Sequence, residues 1–238
     1  MLRVIRVLMW TLSMYIVTHL FAFAVLPWAV LIPYVDRERI PALKQWFVRG
    51  LFAIVGKWLN VSGYDNIRPD RTYVIISNYP SLYASFALIG VFPQAGIVAH
   101  AFLRRIPLLG QALHRAGTVF VQPGKAGQGR KALALALRER GDIPGVIILP
   151  EGARTPDGSI RPFRRGFVDI LRQTSLDLLP VTQNGLYQLK PVKRLHLDPD
   201  AQPELIIHPA VSNAAARAMS DDQLLALAQS VIGGVYRP

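Results

Sequence analysis

The chain has 238 residues, 51% of them hydrophobic and only 18% charged, with a formal net charge of +12. That length suits one substantial domain plus an anchor, and an apolar yet basic balance points to anionic lipid as a partner. The absence of cysteine excludes disulfides, thiolate nucleophiles and cysteine-ligated zinc or iron–sulfur sites.

From Val7 to Val35 no residue carries a formal charge. The run exceeds the roughly 20 residues that a helix needs to cross the hydrocarbon layer. Trp10 and Trp28 stand near its ends, where amphipathic aromatics favour the headgroup zone. Pro27 and Pro33 are placed to bend or end the helix. Arg3 and Arg6 with Ala22-Phe23-Ala24 imitate a cleavable signal peptide. The apolar run continues past that site, which favours a retained anchor. A second segment, Ile40 to Asn60, has apolar residues (Trp46, Phe47, Leu51, Phe52, Ile54, Val55, Trp58, Leu59) clustered at spacings of three and four, with Lys44, Arg49 and Lys57 among them. That pattern fits a helix lying in the membrane interface or one packed on a core. The two segments form either a hairpin gripping one leaflet or a spanning helix plus a surface helix. Basic residues flank the first segment on both sides, so the positive-inside rule decides orientation only weakly.

From Ser62 onwards short apolar runs alternate with helical stretches. Tyr73–Ser77, Gly96–Ala99, Thr118–Gln122 and Val146–Leu149 read as buried strands. Leu178–Thr182 and Glu204–His208 are further candidates, and Pro180 pushes the former towards a sheet edge. Helices are predicted over Leu82–Gly90, Arg130–Arg140, Arg165–Arg172 and from a Ser220 N-cap to about Ile232. The alternation predicts an α/β fold: a mixed, largely buried sheet flanked by helices and preceded by a hydrophobic two-helix membrane anchor. The expected division is 1–61 for the anchor and 62–238 for the α/β domain.

The informative residues fall in ordered blocks. One is Asn78-Tyr79-Pro80-Ser81-Leu82-Tyr83-Ala84 at the end of a strand. The next runs from Ala99-His100 through Ile106-Pro107 and Gly110 to Gly117-Thr118-Val119-Phe120. The third is Leu149-Pro150-Glu151-Gly152-Ala153-Arg154, continued by Thr155-Pro156-Asp157-Gly158 and Pro162-Phe163-Arg164-Arg165-Gly166. Pro180-Val181-Thr182 to Gly185 closes the series. In the third block Gly152 permits a tight turn against a ligand, and Arg154 presents a planar fork of donors that matches phosphate oxygens. Together these blocks resemble the 1-acylglycerol-3-phosphate acyltransferase (lysophosphatidic acid acyltransferase) family across roughly Asn66 to Pro209.

The resemblance implies an acyl transfer from acyl carrier protein or acyl-CoA to a lysophospholipid-like acceptor, with no cofactor. It assigns Glu151, Gly152 and Arg154 to binding the acceptor's glycerol phosphate. It also exposes a departure: the family's first motif reads N-H-x-S-x-x-D, and here Tyr79 and Ala84 occupy the His and Asp positions. Attack of a hydroxyl on a thioester needs a group that takes the hydroxyl proton, a task suited to imidazole oriented by a carboxylate. A phenol, with an ordinary pKa of about 10, is almost wholly protonated at neutral pH. His100, which stands where the family commonly has Lys, is the candidate for a relocated base. The alternative is a non-catalytic lipid-binding or regulatory relative, and a bare anchor for a partner enzyme is a third option. A bacterial inner membrane, on its cytoplasmic face, is the expected location. The Gly-rich basic stretch Gly124–Lys131 invites a phosphate-binding reading but lacks the nucleotide-loop pattern. Clustered metal ligands are absent from the sequence pattern, and dispersed basic residues argue against nucleic acid.

Overall fold

The computed structural model describes residues 2–122, 145–194 and 197–238. The predicted helix Arg130–Arg140 and the Gly-rich stretch 124–131 lie outside them, as does His196. A 34-residue helix, α1 (Leu2–Val35), is followed by a short 3-10 turn, Arg37–Arg39, capped by Asp36, and by α2 (Ile40–Ile54). Pro27 and Pro33 do not end α1, which continues to Val35. The window Val7–Ala24 is long and apolar enough to cross a membrane, with mean hydropathy 1.6, and 6% of it is buried.

Seven strands form one sheet among the described residues, in the order β1-β7-β6-β2-β5-β3-β4. They are β1 (Asn60–Ser62), β2 (Tyr73–Ser77), β3 (Gly96–His100), β4 (Val119–Val121), β5 (Gly145–Ile148), β6 (Asp177–Asn184) and β7 (Glu204–Ile207). Strands β6, β2, β5, β3 and β4 run parallel; β7 is antiparallel to β6, and β1 is parallel to β7. The expected mixed, buried sheet is therefore present.

Successive side chains alternate between the faces of the pleat. Tyr73, Ile75, Ile147, Leu179 and Val181 meet one helical layer, with Val48, Leu51 and Phe52 of α2 and Ala84, Ala87 and Leu88 of α3 (Leu82–Val91). Val74, Ile76, Val146, Ile148 and Leu178 meet the other, with α5 (Gly166–Gln173), α7 (Asn213–Ala218) and α8 (Asp221–Gly234). Short helices α4 (Leu109–Arg115) and α6 (Leu186–Leu189) complete the set. Ser220 caps α8 through a full capping box with Gln223. Helix α2 therefore packs on the sheet layer through Val48, Leu51 and Phe52 while Trp46 stays exposed. Glycines let this layer close: a Cβ on Gly50 would collide with the Phe21 ring, and one on Gly90 would lie 2.6 Å from Val48 Cγ1.

One expectation is corrected. Leu178–Thr182 is not an edge strand but part of β6, flanked by β2 and β7. Proline is tolerated there because Pro180 lies just past the paired end of β7. Its carbonyl still accepts from the His208 N–H (3.0 Å), so the missing donor costs at most the reciprocal bond.

Candidate functional site

Strands β2, β5 and β6 are adjacent and parallel, in a register that aligns Ile76 with both Ile148 and Pro180. Their chains therefore leave the sheet at the same edge, where ligands gather in open α/β sheets. Tyr79 follows β2, the Pro150–Arg154 turn follows β5, and β6 runs on to Asn184 before α6.

Glu151 joins the first two of these turns. Its side chain is 2% exposed; Oε1 accepts from the Tyr79 N–H at 2.6 Å and Oε2 from the Arg161 N–H at 3.0 Å. A second bond runs between the turns, from the Thr155 N–H to the Tyr79 carbonyl at 3.1 Å. Burial pushes the Glu151 carboxyl above its ordinary range, opposed by the two backbone N–H bonds and by the charge of Arg161. With each oxygen already accepting, this carboxylate acts as a clasp rather than as a free base.

Asn78 holds the same turn from the other side. Its amide oxygen accepts from the Gln183 N–H (2.8 Å), its amide nitrogen donates to the Gln183 carbonyl (2.9 Å), and the Gln183 side chain donates to the Asn78 carbonyl (3.1 Å). These buried bonds fix the end of β2 to β6 and so set the direction of Tyr79. Ser81 precedes α3 and is fully buried, its hydroxyl without a hydrogen-bond partner among the described residues.

Gly152 adopts φ +71°, the left-handed conformation that the sharp turn after Glu151 requires. A Cβ there would stand 2.9 Å from the Arg164 Cζ, so the guanidinium of Arg164 lies against the glycine. Arg154 is exposed, and no ion pair joins it to an acid among the described residues. Beyond it, Asp157 accepts from the Ser159 hydroxyl and N–H and from the Thr155 hydroxyl, which hold its carboxyl down at about 2.

The positions expected for a catalytic His and Asp hold Tyr79, half-buried, and Ala84, fully buried. His100 ends β3 and is exposed; its Nδ1 accepts from the Phe102 N–H at 3.0 Å, and its ring meets that of Phe102 edge-on. It makes no hydrogen bond to Tyr79 or Glu151, so the structure does not join it to the paired turns. His208 Nε2 bonds the Thr182 hydroxyl (2.8 Å), and His19 Nδ1 bonds the Tyr15 carbonyl (2.7 Å). Neither nearby phenol offers a ready base: burial, then Tyr15, pushes Tyr83 up to about 12, and burial, then the charge of Glu151, pushes Tyr236 higher still. No group of three or more metal-ligating residues occurs among the described residues.

A cavity of about 500 Å³ lies against α3, between α1 and α2 on one side and α4 on the other. Phe23, Leu43, Phe47, Phe86, Ile89 and Leu113 are among its lining residues, with Lys44, His19 and Thr118 as its polar members.

The acyltransferase family pattern matches residues 59–184, more than half of the chain. The chain belongs to the acyltransferase family. Its sequence is 30% identical over 146 residues to a 1-acyl-sn-glycerol-3-phosphate acyltransferase of Pseudomonas aeruginosa, covering 59% of this chain and 53% of that protein. The coconut (Cocos nucifera) protein of the same name is 27% identical over 195 residues, covering 78% and 60%. The chain thus spans between half and two thirds of the length of these relatives. The crystal structure of the 1-acyl-sn-glycerophosphate (LPA) acyltransferase PlsC from Thermotoga maritima superposes with a TM-score of 0.80 at 24% identity, covering 97% of this chain and 94% of that one. That likeness establishes the acyltransferase fold, the N-terminal helices included in the matched length.

Sequence reasoning missed Arg161, Thr155 and Gln183 as site-building residues, because each acts through its backbone or through a partner distant in sequence. Tyr236 also escaped it: it follows the last motif and comes near Glu151 only through the chain terminus.

Proposed function

We propose that this acyltransferase-family chain transfers an acyl chain from acyl-CoA or acyl carrier protein to a lysophospholipid-like acceptor at a membrane. The reading is carried by one observation: Glu151 binds the Tyr79 turn to the Pro150–Arg154 turn, leaving Arg154 exposed beside them. An acceptor phosphate on Arg154 would place its glycerol end beside Tyr79. The apolar cavity begins about one turn along α3, at Phe86, and has a volume and lining suited to an acyl chain. Residues 1–61 act as the anchor, with exposed Phe23, Trp46 and Trp58 in the lipid, on the cytoplasmic face of a bacterial inner membrane.

In the reaction the acceptor oxygen attacks the thioester carbonyl, a C–O bond forms, the C–S bond breaks, and the hydroxyl proton ends on the departing thiol. Arg154 and Gly152 hold and orient the acceptor; the proton must travel without the family's imidazole. A second reading is favoured by that loss: Tyr79, Ala84 and a fully engaged Glu151 leave the paired turns without a free base, as a non-catalytic lipid-binding relative would have. Purified chain given labelled acyl-CoA or acyl carrier protein with a panel of lysolipids separates the two. Turnover lost in Arg154→Ala supports the enzyme; lipid binding without turnover supports the second reading; neither binding nor turnover overturns both.

A further inference from the structure

We propose that Lys190 is a second cation of the phosphate subsite, acting with Arg154 on a phosphate monoester. This rests on the acyl-acceptor reading above and adds a residue that no family motif contains. Strand β6 runs three residues past the end of β2, to Asn184. Gly185 then turns the chain through φ +68° into α6. That helix is fastened to the loop after Arg154: the Tyr187 hydroxyl donates to the Pro156 carbonyl at 3.2 Å, and its ring packs against Gly158. Lys190, immediately after α6, is thereby delivered to the same sheet edge as Arg154.

The half-buried Lys190 ammonium donates to the carbonyls of Pro191 (3.2 Å) and Arg194. Those neutral acceptors direct the head group and leave its charge unneutralised, with a third proton to donate. Among the described residues no carboxylate forms an ion pair with Lys190, Arg154 or Arg164. Burial, and then the charge of Arg154, holds the Lys190 ammonium below its ordinary range, so the two cations feel each other. Holding two such cations together without an acid is unfavourable, and a dianionic phosphate reverses the sign of that interaction. A guanidinium fork and a point-charge ammonium are complementary binders of one phosphate.

A phosphate monoester can come from a lysophosphatidate head group or from the 3′-phosphate of coenzyme A, and the test separates them. Equilibrium binding of the full chain in detergent would be measured for lysophosphatidate, uncharged monoacylglycerol, coenzyme A and dephospho-coenzyme A. The expected result is that Lys190→Gln weakens lysophosphatidate binding about 10-fold to 100-fold, the scale of one charge-assisted hydrogen bond. Monoacylglycerol binding stays within about twofold, and Lys190→Arg restores most of the loss. A loss seen instead for coenzyme A, and not for dephospho-coenzyme A, retains the phosphate role and moves it to the donor. Equal losses for both lipids would overturn the proposal, since Lys190 would then be a carbonyl clamp for the fold. Unchanged phosphate binding in Lys190→Gln, with loss in Arg154→Ala, would overturn it while leaving the acceptor reading intact. No binding of any of these ligands by the wild-type chain would overturn both.

Discussion

Replacing Glu151 by alanine tests the clasp directly. The substitution deletes the acceptor of two backbone N–H groups, those of Tyr79 and Arg161. Each donor left unsatisfied in a buried setting costs about 1–3 kcal/mol. Both residues are half-buried, so water recovers part of that, and removing a carboxylate that is 2% exposed relieves its desolvation. A net loss of about 2–4 kcal/mol follows, a large share of an ordinary stability of about 5–15 kcal/mol. At about 2–4 °C per kcal/mol for a chain of this size, thermal unfolding in detergent should fall by roughly 4–16 °C. Glu151→Gln should lose less, keeping one acceptor while turning an amide donor towards another N–H. Because burial raises the folded-state pKa of Glu151, its protonation favours the native state. The wild type therefore gains stability as pH falls through that raised value towards the unfolded value of about 4.3. The glutamine variant lacks this gain, so the gap between the two widens in acid. A Glu151→Ala midpoint within about 2 °C of wild type would refute the clasp; a gap that narrows in acid would instead show that the two N–H bonds outweigh burial and refute the raised pKa.

Other outcomes follow from the same geometry. Ala84→Asp alone buries an unpaired carboxylate and should lose at least about 1–3 kcal/mol; adding Tyr79→His should recover part of it and raise thiol release from acyl-CoA by about 10²–10⁴-fold, and a double variant no better than the single one counts against an intact scaffold. Asp157, held at about 2 by its Ser159 and Thr155 partners, contributes stability above its unfolded value of about 3.9 and loses it as pH falls to about 2; acid titration of Asp157→Asn should lack that step. Gly90→Ala drives a Cβ to 2.6 Å from Val48 Cγ1 and should cost about 1–3 kcal/mol, relieved by Val48→Ala; an unchanged melting midpoint would mean α2 and α3 are not closely seated. Serine at both Trp46 and Trp58, which are 56% and 76% exposed, should weaken pelleting with anionic vesicles by about tenfold or more, and unchanged pelleting would remove those rings from the lipid contact.

Local chemistry made part of this legible. Tyr73–Ser77 stands as read because a short, mostly apolar and β-branched run between turns admits few alternatives, and Ser220 declares its helix through a cap that needs only Gln223. Sheet order is different, since it depends on pairings across more than a hundred residues, such as Tyr73 with Asp177. The error over Pro180 has that origin: whether a missing N–H matters depends on where β7 stops, and no local pattern records it. The three-residue β1 had no detectable periodicity, and it forms because Asn60–Ser62 lies beside Glu204–Ile206. At the site, Glu151 was legible as important but not as a clasp, because its partners are backbone groups of Tyr79 and Arg161. His100 looked eligible from its place at a strand end, yet its Nδ1 is committed to a local turn.

The retained and missing motif residues divide by the kind of work they do. Asn78, Glu151 and Gly152 shape turns, and all three are present and engaged in the contacts that fix those turns. Tyr79 and Ala84 replace groups whose work is proton transfer. Losing a general base raises a barrier by roughly 3–5 kcal/mol, the equivalent of about 10²–10⁴ in rate. Holding two reactants in an attack geometry lowers it by as much as about 7–11 kcal/mol, and on the proposed reading that contribution would come from the turns, Arg154 and the apolar cavity. Positioning exceeds proton transfer on these magnitudes, so a chain that binds both substrates should turn over slowly rather than not at all. Its rate should rise with pH as the acceptor hydroxyl loses its proton to solvent, without the plateau near neutrality that an imidazole base imposes. A plateau near neutrality would instead reveal a histidine base at work.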